Sequence, residues 1–203
     1  MPARIAVNGF GRIGRNFVRS FVERQRVGAL DASIELVAVN DLGNVETLAH
    51  LLRHDSVHRA VDWLVDVHDD LLDIDGRKVS VLSERNPGDL PWDELGVDLV
   101  IESTGVFTAR EDAALHLDAG ARRVIVSAPA PGADATFVIG VNDDMFDPAT
   151  HHVVSNASCT TNCLAPMVKV LDDAFGFEQG MITTVHAYTG DQALVDGPHS
   201  DLR

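Results

Sequence analysis

The sequence predicts an α/β fold built on a doubly wound, mostly parallel sheet. Three observations carry this. Apolar, often β-branched runs recur at 4–7, 34–41, 97–103, 123–130 and 135–141. Stretches with helical spacing stand between several of them. A glycine turn, Gly9-Phe10-Gly11-Arg12-Ile13-Gly14, joins the first run to the first helix.

"RIAV" at 4–7 reads as a short strand. After the glycine turn, Ile13, Phe17, Phe21 and Val22 recur at helical spacing. "IELVAVND" at 34–41 is an apolar run that ends in a polar pair, as a strand does at a sheet edge. Strand, glycine turn, helix and strand make a βαβ unit. In the stretch 55–92, Asp75-Gly76 within "LLDIDGRKVSVLSE" reads as a hairpin turn between short strands. "VDLVIES", "RRVIVSAP" and "ATFVIGV" follow as strands, and "REDAALHLDAGA" at 110–121 supplies a helix between two of them. A second unit begins near Ser158. There "CTTNCLAPMVKVLDDAFG" reads as a helix with a Ser/Thr cluster at its start, and "GMITTVHAYTGD" at 180–191 as a strand. The expected division is residues 1–157 and 158–203, the second part being too short to bury a core alone.

Composition narrows the function classes. Apolar residues make up 45% and charged residues 23%, the balance of a globular core. No apolar run reaches membrane-spanning length. The N-terminus lacks the basic flank, apolar core and cleavage site of a secretion signal. The two cysteines are too few for a disulfide framework or a cysteine-based zinc site, so no metal is expected and a cytoplasmic location fits. The net charge is −15, from 23 Asp and 8 Glu against 14 Arg and 2 Lys. Such a chain repels nucleic acid and anionic membrane. The charge serves solubility, or, since aspartate excess with scarce lysine resembles halophilic proteins, adaptation to high salt.

The glycine turn has a physical reading. The first glycine permits the tight turn, the second lets backbone N–H groups approach a pyrophosphate, and the third allows helix and strand to pack closely. The helix N-terminus offers free N–H groups and partial positive charge. Alone, the pattern is weak evidence and reads more readily as a tight strand–helix turn. Its place between strand and helix favours a nucleotide site. Asp41, at the end of the second strand, suits a carboxylate binding both ribose hydroxyls, and it would repel a 2′-phosphate. NAD is therefore expected over NADP. The alternative is a solvated residue at a strand end.

Both cysteines lie in "SNASCTTNCLAP". A helix beginning near Cys159 places its sulfur at the positive end of the helix dipole, which favours the thiolate. Ser158, Thr160 and Thr161 suit capping there. Cys163, one turn further, is expected to be buried and inert. His186, in a strand, is either a structural residue or the partner of Cys159, brought near by the fold.

Taken together, "RIAVNGFGRIGR", "ELVAVND", "LLRHDSVH", "LPWDELGVDLVIESTGVFT", "VIVSAPAPGADATFVIGVN", "SNASCTTNCLAP" and "TTVHAYTGDQ" resemble the phosphorylating glyceraldehyde-3-phosphate dehydrogenases. The resemblance spans nearly the whole chain, apart from the loop at 26–33 and the stretch around 59–72. It implies a Rossmann-type NAD domain followed by the start of an α+β catalytic domain. It further implies Cys159 as nucleophile and His186 as its acid/base partner. The thiolate attacks glyceraldehyde 3-phosphate to give a thiohemiacetal. His186 takes the hydroxyl proton as hydride leaves for the nicotinamide. Inorganic phosphate then cleaves the thioester to an acyl phosphate. By the same resemblance Ser158 and Thr160 lie around the attacking phosphate and Thr189 near the substrate's own phosphate. Arg12 and Ile13 belong to the pyrophosphate turn, Arg85 stands beside the adenine, and Thr104 and Ser127 line the cofactor cleft.

Departures from the family pattern are Gly190 where Asn is commoner and Arg59 where Gly is common. The family continues beyond the position of Arg203. A phosphate-gripping arginine, a returning C-terminal helix, an asparagine at the nicotinamide and a loop reaching a neighbouring subunit are expected there. The expectation is therefore a fragment, poorly active alone, of an enzyme that forms a homotetramer. Erythrose-4-phosphate dehydrogenase shares the same cysteine and histidine, and a non-catalytic nucleotide-binding protein is the reading from a different class.

Overall fold

In the computed structural model the described residues are 3–187. The chain opens with β1 (Ala3–Asn8), α1 (Arg12–Arg26) and β2 (Ile34–Asn40). Next come α2 (Val45–Arg53) and a two-residue ribbon of β3 (His54–Asp55) and β4 (Arg59–Ala60). An antiparallel meander follows: β5 (Val65–His68), β6 (Leu71–Ile74) and β7 (Arg77–Leu82). Asp75-Gly76 closes its second hairpin, as the sequence reading expects. Then come β8 (Leu99–Glu102), the short α3 (Arg110–Ala113) and α4 (Leu115–Asp118), β9 (Arg123–Val126), β10 (Ala135–Thr136) and β11 (Val153–Ser155). The last described element is α5 (Cys159–Phe175).

Nine strands form one sheet in the order β10-β11-β9-β8-β1-β2-β7-β6-β5. All pairings are parallel except those of β6 with β5 and β7. This is the doubly wound α/β sheet the apolar runs predict. Strands buried on both faces explain why those runs are nearly continuous. Ile5, Val7 and Ile101 join Phe10, Val18, Phe21 and Val22 in one apolar cluster. Ala6, Ala38, Val100 and Val124 join Trp92 and Ala113 in another. Alternate residues of one strand thus feed both cores. The chain winds from β1 to β2 on one side, then returns to β8 on the other. The strand order reverses at β1, and a crevice opens there at the carboxyl ends of β1 and β8.

Three expectations change. "ATFVIGV" gives only Ala135–Thr136 as strand, because Asn142 takes over the pairing: its Oδ1 accepts from Val138 N–H and its Nδ2 donates to the Thr136 carbonyl. "REDAALHLDAGA" is helical but interrupted at Ala114. Residues 180–187 form no strand, since no described residue pairs with them to make a ladder, and 188–191 lie outside the described residues. Arg59, where the family pattern has Gly, sits in the left-handed region at φ 66°.

Candidate functional site

The glycine turn lies at the switch point. Gly9 has φ +89°, and a Cβ there would come within 2.5 Å of Thr104 N. A Cβ on Gly14 would run into the Gly9 carbonyl. These two glycines let β1, α1 and the β8 end close upon one another. Gly11 is different: a Cβ there would meet nothing within 4 Å. Nothing in the fold itself crowds that position, so the open space fits the close approach of a pyrophosphate. Gly11 also caps α1, with no side-chain cap and no acidic residue in the first turn. The helix start therefore keeps N–H groups and positive character for an anion. Arg12 and Ile13 are exposed there, so Ile13 faces outward instead of extending the apolar stripe of α1.

Asp41 follows β2. Its Oδ2 accepts from Phe10 N–H at 2.8 Å and its Oδ1 from Gly43 N–H at 2.9 Å. The carboxylate is thereby tied to the glycine turn. Arg85 is exposed beyond β7, on the same edge, since Asp41 N–H donates to the Leu82 carbonyl at 3.0 Å. Thr104 follows β8, and Ser127 follows β9 with its N–H on the Glu102 carbonyl at 2.9 Å. The parallel sheet thus lines up Arg85, Asp41, Gly9, Thr104 and Ser127 along its carboxyl edge. From β2 to β11 there are four strand spacings, about 19 Å at ~4.8 Å each. That span suits an extended dinucleotide.

The thiol arrives at the same edge. β11 ends at Ser155, Ala157 adopts φ 60°, and α5 begins at Cys159. Ser158 is the N-cap, its Oγ accepting from Thr161 N–H at 3.0 Å. This satisfies one orphan donor and leaves the first turn of α5 aimed at the thiol. Cys159 Sγ lies 3.2 Å from His186 Nε2. His186 Nδ1 lies 2.6 Å from the Ala187 carbonyl, which can only accept, so Nδ1 carries a proton. In the neutral ring Nε2 is then the acceptor facing the thiol. The His186 contact holds the Cys159 thiol below its usual range; partial desolvation opposes this, while the Thr160 N–H, the His186 charge and the Thr160 side chain add to it.

Sequence reasoning placed Cys159, Ser158 and Thr160 correctly at the helix start, and the fold brings His186 to the sulfur across 27 residues. The expected burial of Cys163 is corrected. It is exposed and shares a groove with Cys159, Met167, Ile182 and His186. It is exposed because α5 buries no residue among the described part of the chain. Thr189 and Gly190 lie outside the described residues. Glu102 and Asn8, which hold the glycine turn from below, went unnoticed in the sequence. Their signal was a polar residue ending an apolar strand, in "IAVNG" and "VIES". Among the described residues, no group of three or more His, Cys, Asp or Glu could hold a metal ion, and no helix is long and apolar enough to cross a membrane.

Fold and site together define a dinucleotide-binding α/β protein with a cysteine–histidine pair on the sheet edge that carries its glycine turn. Comparison with known proteins makes this specific. Residues 3–110 match the NAD binding domain of glyceraldehyde 3-phosphate dehydrogenase, and residues 158–203 match the C-terminal domain of the same family. The chain belongs to the glyceraldehyde-3-phosphate dehydrogenase family. It is 56% identical over its whole length to glyceraldehyde-3-phosphate dehydrogenase of Streptomyces coelicolor and 55% identical to that of Geobacillus stearothermophilus. It covers 59% and 58% of those two proteins.

Proposed function

We propose that this chain carries the nucleotide-binding part and the beginning of the catalytic part of an NAD-dependent, phosphorylating glyceraldehyde-3-phosphate dehydrogenase. The reaction is oxidation of glyceraldehyde 3-phosphate with inorganic phosphate to 1,3-bisphosphoglycerate, a step of glycolysis and, reversed, of gluconeogenesis. Residues 1–157 form the nucleotide part and 158–203 begin the substrate part. The observation that carries this reading is the 3.2 Å contact of Cys159 Sγ with His186 Nε2, at a helix start on the sheet edge that also holds the glycine turn.

Bound NAD supplies the hydride acceptor. Asp41 receives the ribose hydroxyls, the start of α1 at Gly11, Arg12 and Ile13 receives the pyrophosphate, and Arg85 flanks the adenine. Thr104 and Ser127 line the remainder of the cleft. Cys159 Sγ, its proton passed to His186 Nε2, bonds to the aldehyde carbon. The N–H groups of the first turn of α5 face the oxygen on which negative charge develops. His186 Nε2 returns that proton to this oxygen, which gives the thiohemiacetal hydroxyl, and takes it back when the thioester forms. Ser158 and Thr160 orient inorganic phosphate, whose oxygen bonds to the acyl carbon as the C–S bond breaks and Cys159 leaves as thiolate. Thr189 meets the substrate's own phosphate. A cytoplasmic homotetramer is the proposed setting, and the excess of Asp over Lys favours a salt-rich one.

The test is NADH formation by the native enzyme that contains this sequence, with glyceraldehyde 3-phosphate as substrate. Phosphate-dependent turnover faster than with erythrose 4-phosphate is expected. A preference for erythrose 4-phosphate, or NAD binding without any turnover, overturns the reading.

A further inference from the structure

Beneath the glycine turn lies a buried polar cluster that the proposed chemistry does not use. Glu102, which ends β8, is 1% exposed; Asn8, which ends β1, is 1% exposed; His116 on α4 is fully buried. Four donors converge on the Glu102 carboxylate. Oε1 accepts from the N–H of Thr104 at 2.8 Å and from its hydroxyl at 2.5 Å. Oε2 accepts from Asn8 Nδ2 at 2.6 Å and from His116 Nε2 at 3.0 Å. Trp92 Nε1–H donates to His116 Nδ1 at 2.9 Å, which makes Nδ1 the acceptor and leaves the ring proton on Nε2, toward Glu102. Asn8 Oδ1 in turn accepts from Asn40 Nδ2 at 2.7 Å. Both carboxylate oxygens are therefore filled.

An apolar cluster of the same volume would stabilise the fold at least as well, so a satisfied buried network is best explained by what it fixes in place. Here it fixes Thr104. The Thr104 backbone lies so close to Gly9 that a Cβ on Gly9 would stand 2.5 Å from Thr104 N. Ser103 completes the clamp, its Oγ donating to the Gly9 carbonyl at 2.7 Å. We infer that Glu102 is a positioning residue of the nucleotide cleft. Backed by His116 and Trp92, it locks Thr104 onto the glycine turn, so that the cleft stands formed before the dinucleotide arrives. This inference rests on the NAD reading above.

Glu102→Gln is nearly isosteric, yet whichever way its amide turns, an NH2 group meets two donors already in place. NAD titration of the unaltered protein, Glu102→Gln, Thr104→Ala and the double variant forms a cycle. Glu102→Gln should weaken NAD about tenfold, and in the Thr104→Ala background the same change should weaken it less than about twofold. A melting temperature lowered by Glu102→Gln with NAD affinity unchanged overturns the proposal, because the role is then only structural. Equal weakening in both backgrounds overturns it too. If the unaltered protein does not bind NAD, the nucleotide reading fails and this inference with it. If it binds and Glu102→Gln binds as well, only this inference fails. Should Glu102→Gln not fold, amide exchange of the unaltered, NAD-free protein decides. A protected Thr104 N–H supports the proposal, and exchange at the rate of an open loop amide overturns it.

Discussion

The two ends of the proposed reaction centre are built in opposite ways. At the nucleotide end, the glycine turn is held by Asp41, Ser103 and the buried Glu102 cluster, over two apolar cores. At the thiol end, Cys159 and His186 are both exposed and lie 3.2 Å apart, Cys159 at the start of a helix that buries no residue among the described ones. One end is over-determined by its own fold, and the other brings together two residues 27 apart in sequence. A nucleotide must find a rigid cleft, since every group ordered on binding costs affinity. A nucleophile must instead be reachable, and its reactivity comes from local electrostatics more than from packing.

This contrast predicts that changes at the thiol end alter chemistry and spare stability and NAD affinity, while changes at the nucleotide end act on stability, on NAD affinity or on both. Cys159→Ser should give the largest effect. In the protein bearing this sequence, phosphate-dependent NADH formation should fall by about 10⁴-fold or more, with NAD affinity and melting temperature unchanged. A loss of NAD affinity as large as the loss of rate would break the contrast.

His186→Asn should lower turnover by about 10²–10⁴-fold. It also removes the largest cause that holds the Cys159 thiol below its ordinary range. The thiol pKa then rises, less thiolate is present at a given pH, and the alkylation profile of Cys159 moves to higher pH. An unmoved profile measured with iodoacetamide would assign the activation to the helix start instead.

At the nucleotide end, Gly9→Ala forces a Cβ against Thr104 in a backbone region that L-residues avoid. It should cost about 2–4 kcal/mol of stability, read by denaturant unfolding. Gly11→Ala meets nothing and should cost less than about 1 kcal/mol, yet weaken NAD by tenfold or more, because only the ligand contests that space. Equal destabilisation by both variants would mean that the turn is packing alone. The smallest effect is expected from Asp41→Asn, which keeps one acceptor for the turn and removes the negative charge. The preference for NAD over NADP should fall about tenfold in paired titrations.

Much of the fold was legible because a parallel sheet buried on both faces writes itself as continuous apolar runs. "IELVAVN" and "RVIV" needed no tertiary information. "ATFVIGV" misled for a reason the pattern cannot contain: the Asn142 side chain ends the strand by taking its hydrogen bonds. The cleft was legible through Gly9, Gly11, Gly14 and Asp41, since a tight turn at a strand–helix junction constrains residue type locally. Glu102 stayed hidden because its partners Asn8 and His116 lie 94 and 14 residues away.

The sequence by itself determined the α/β alternation, the glycine turn between strand and helix, the likeness to one family and the helix start at Cys159. Each of these depends on residue type within a few neighbours, where propensity, periodicity and capping act. Only the tertiary structure decided that His186 meets Cys159, that Cys163 is exposed, and that Asn8, Glu102 and His116 converge under Thr104. Those outcomes follow from strand order. A parallel sheet gathers the carboxyl ends of strands far apart in sequence on one edge, and no local pattern records which residues will meet there.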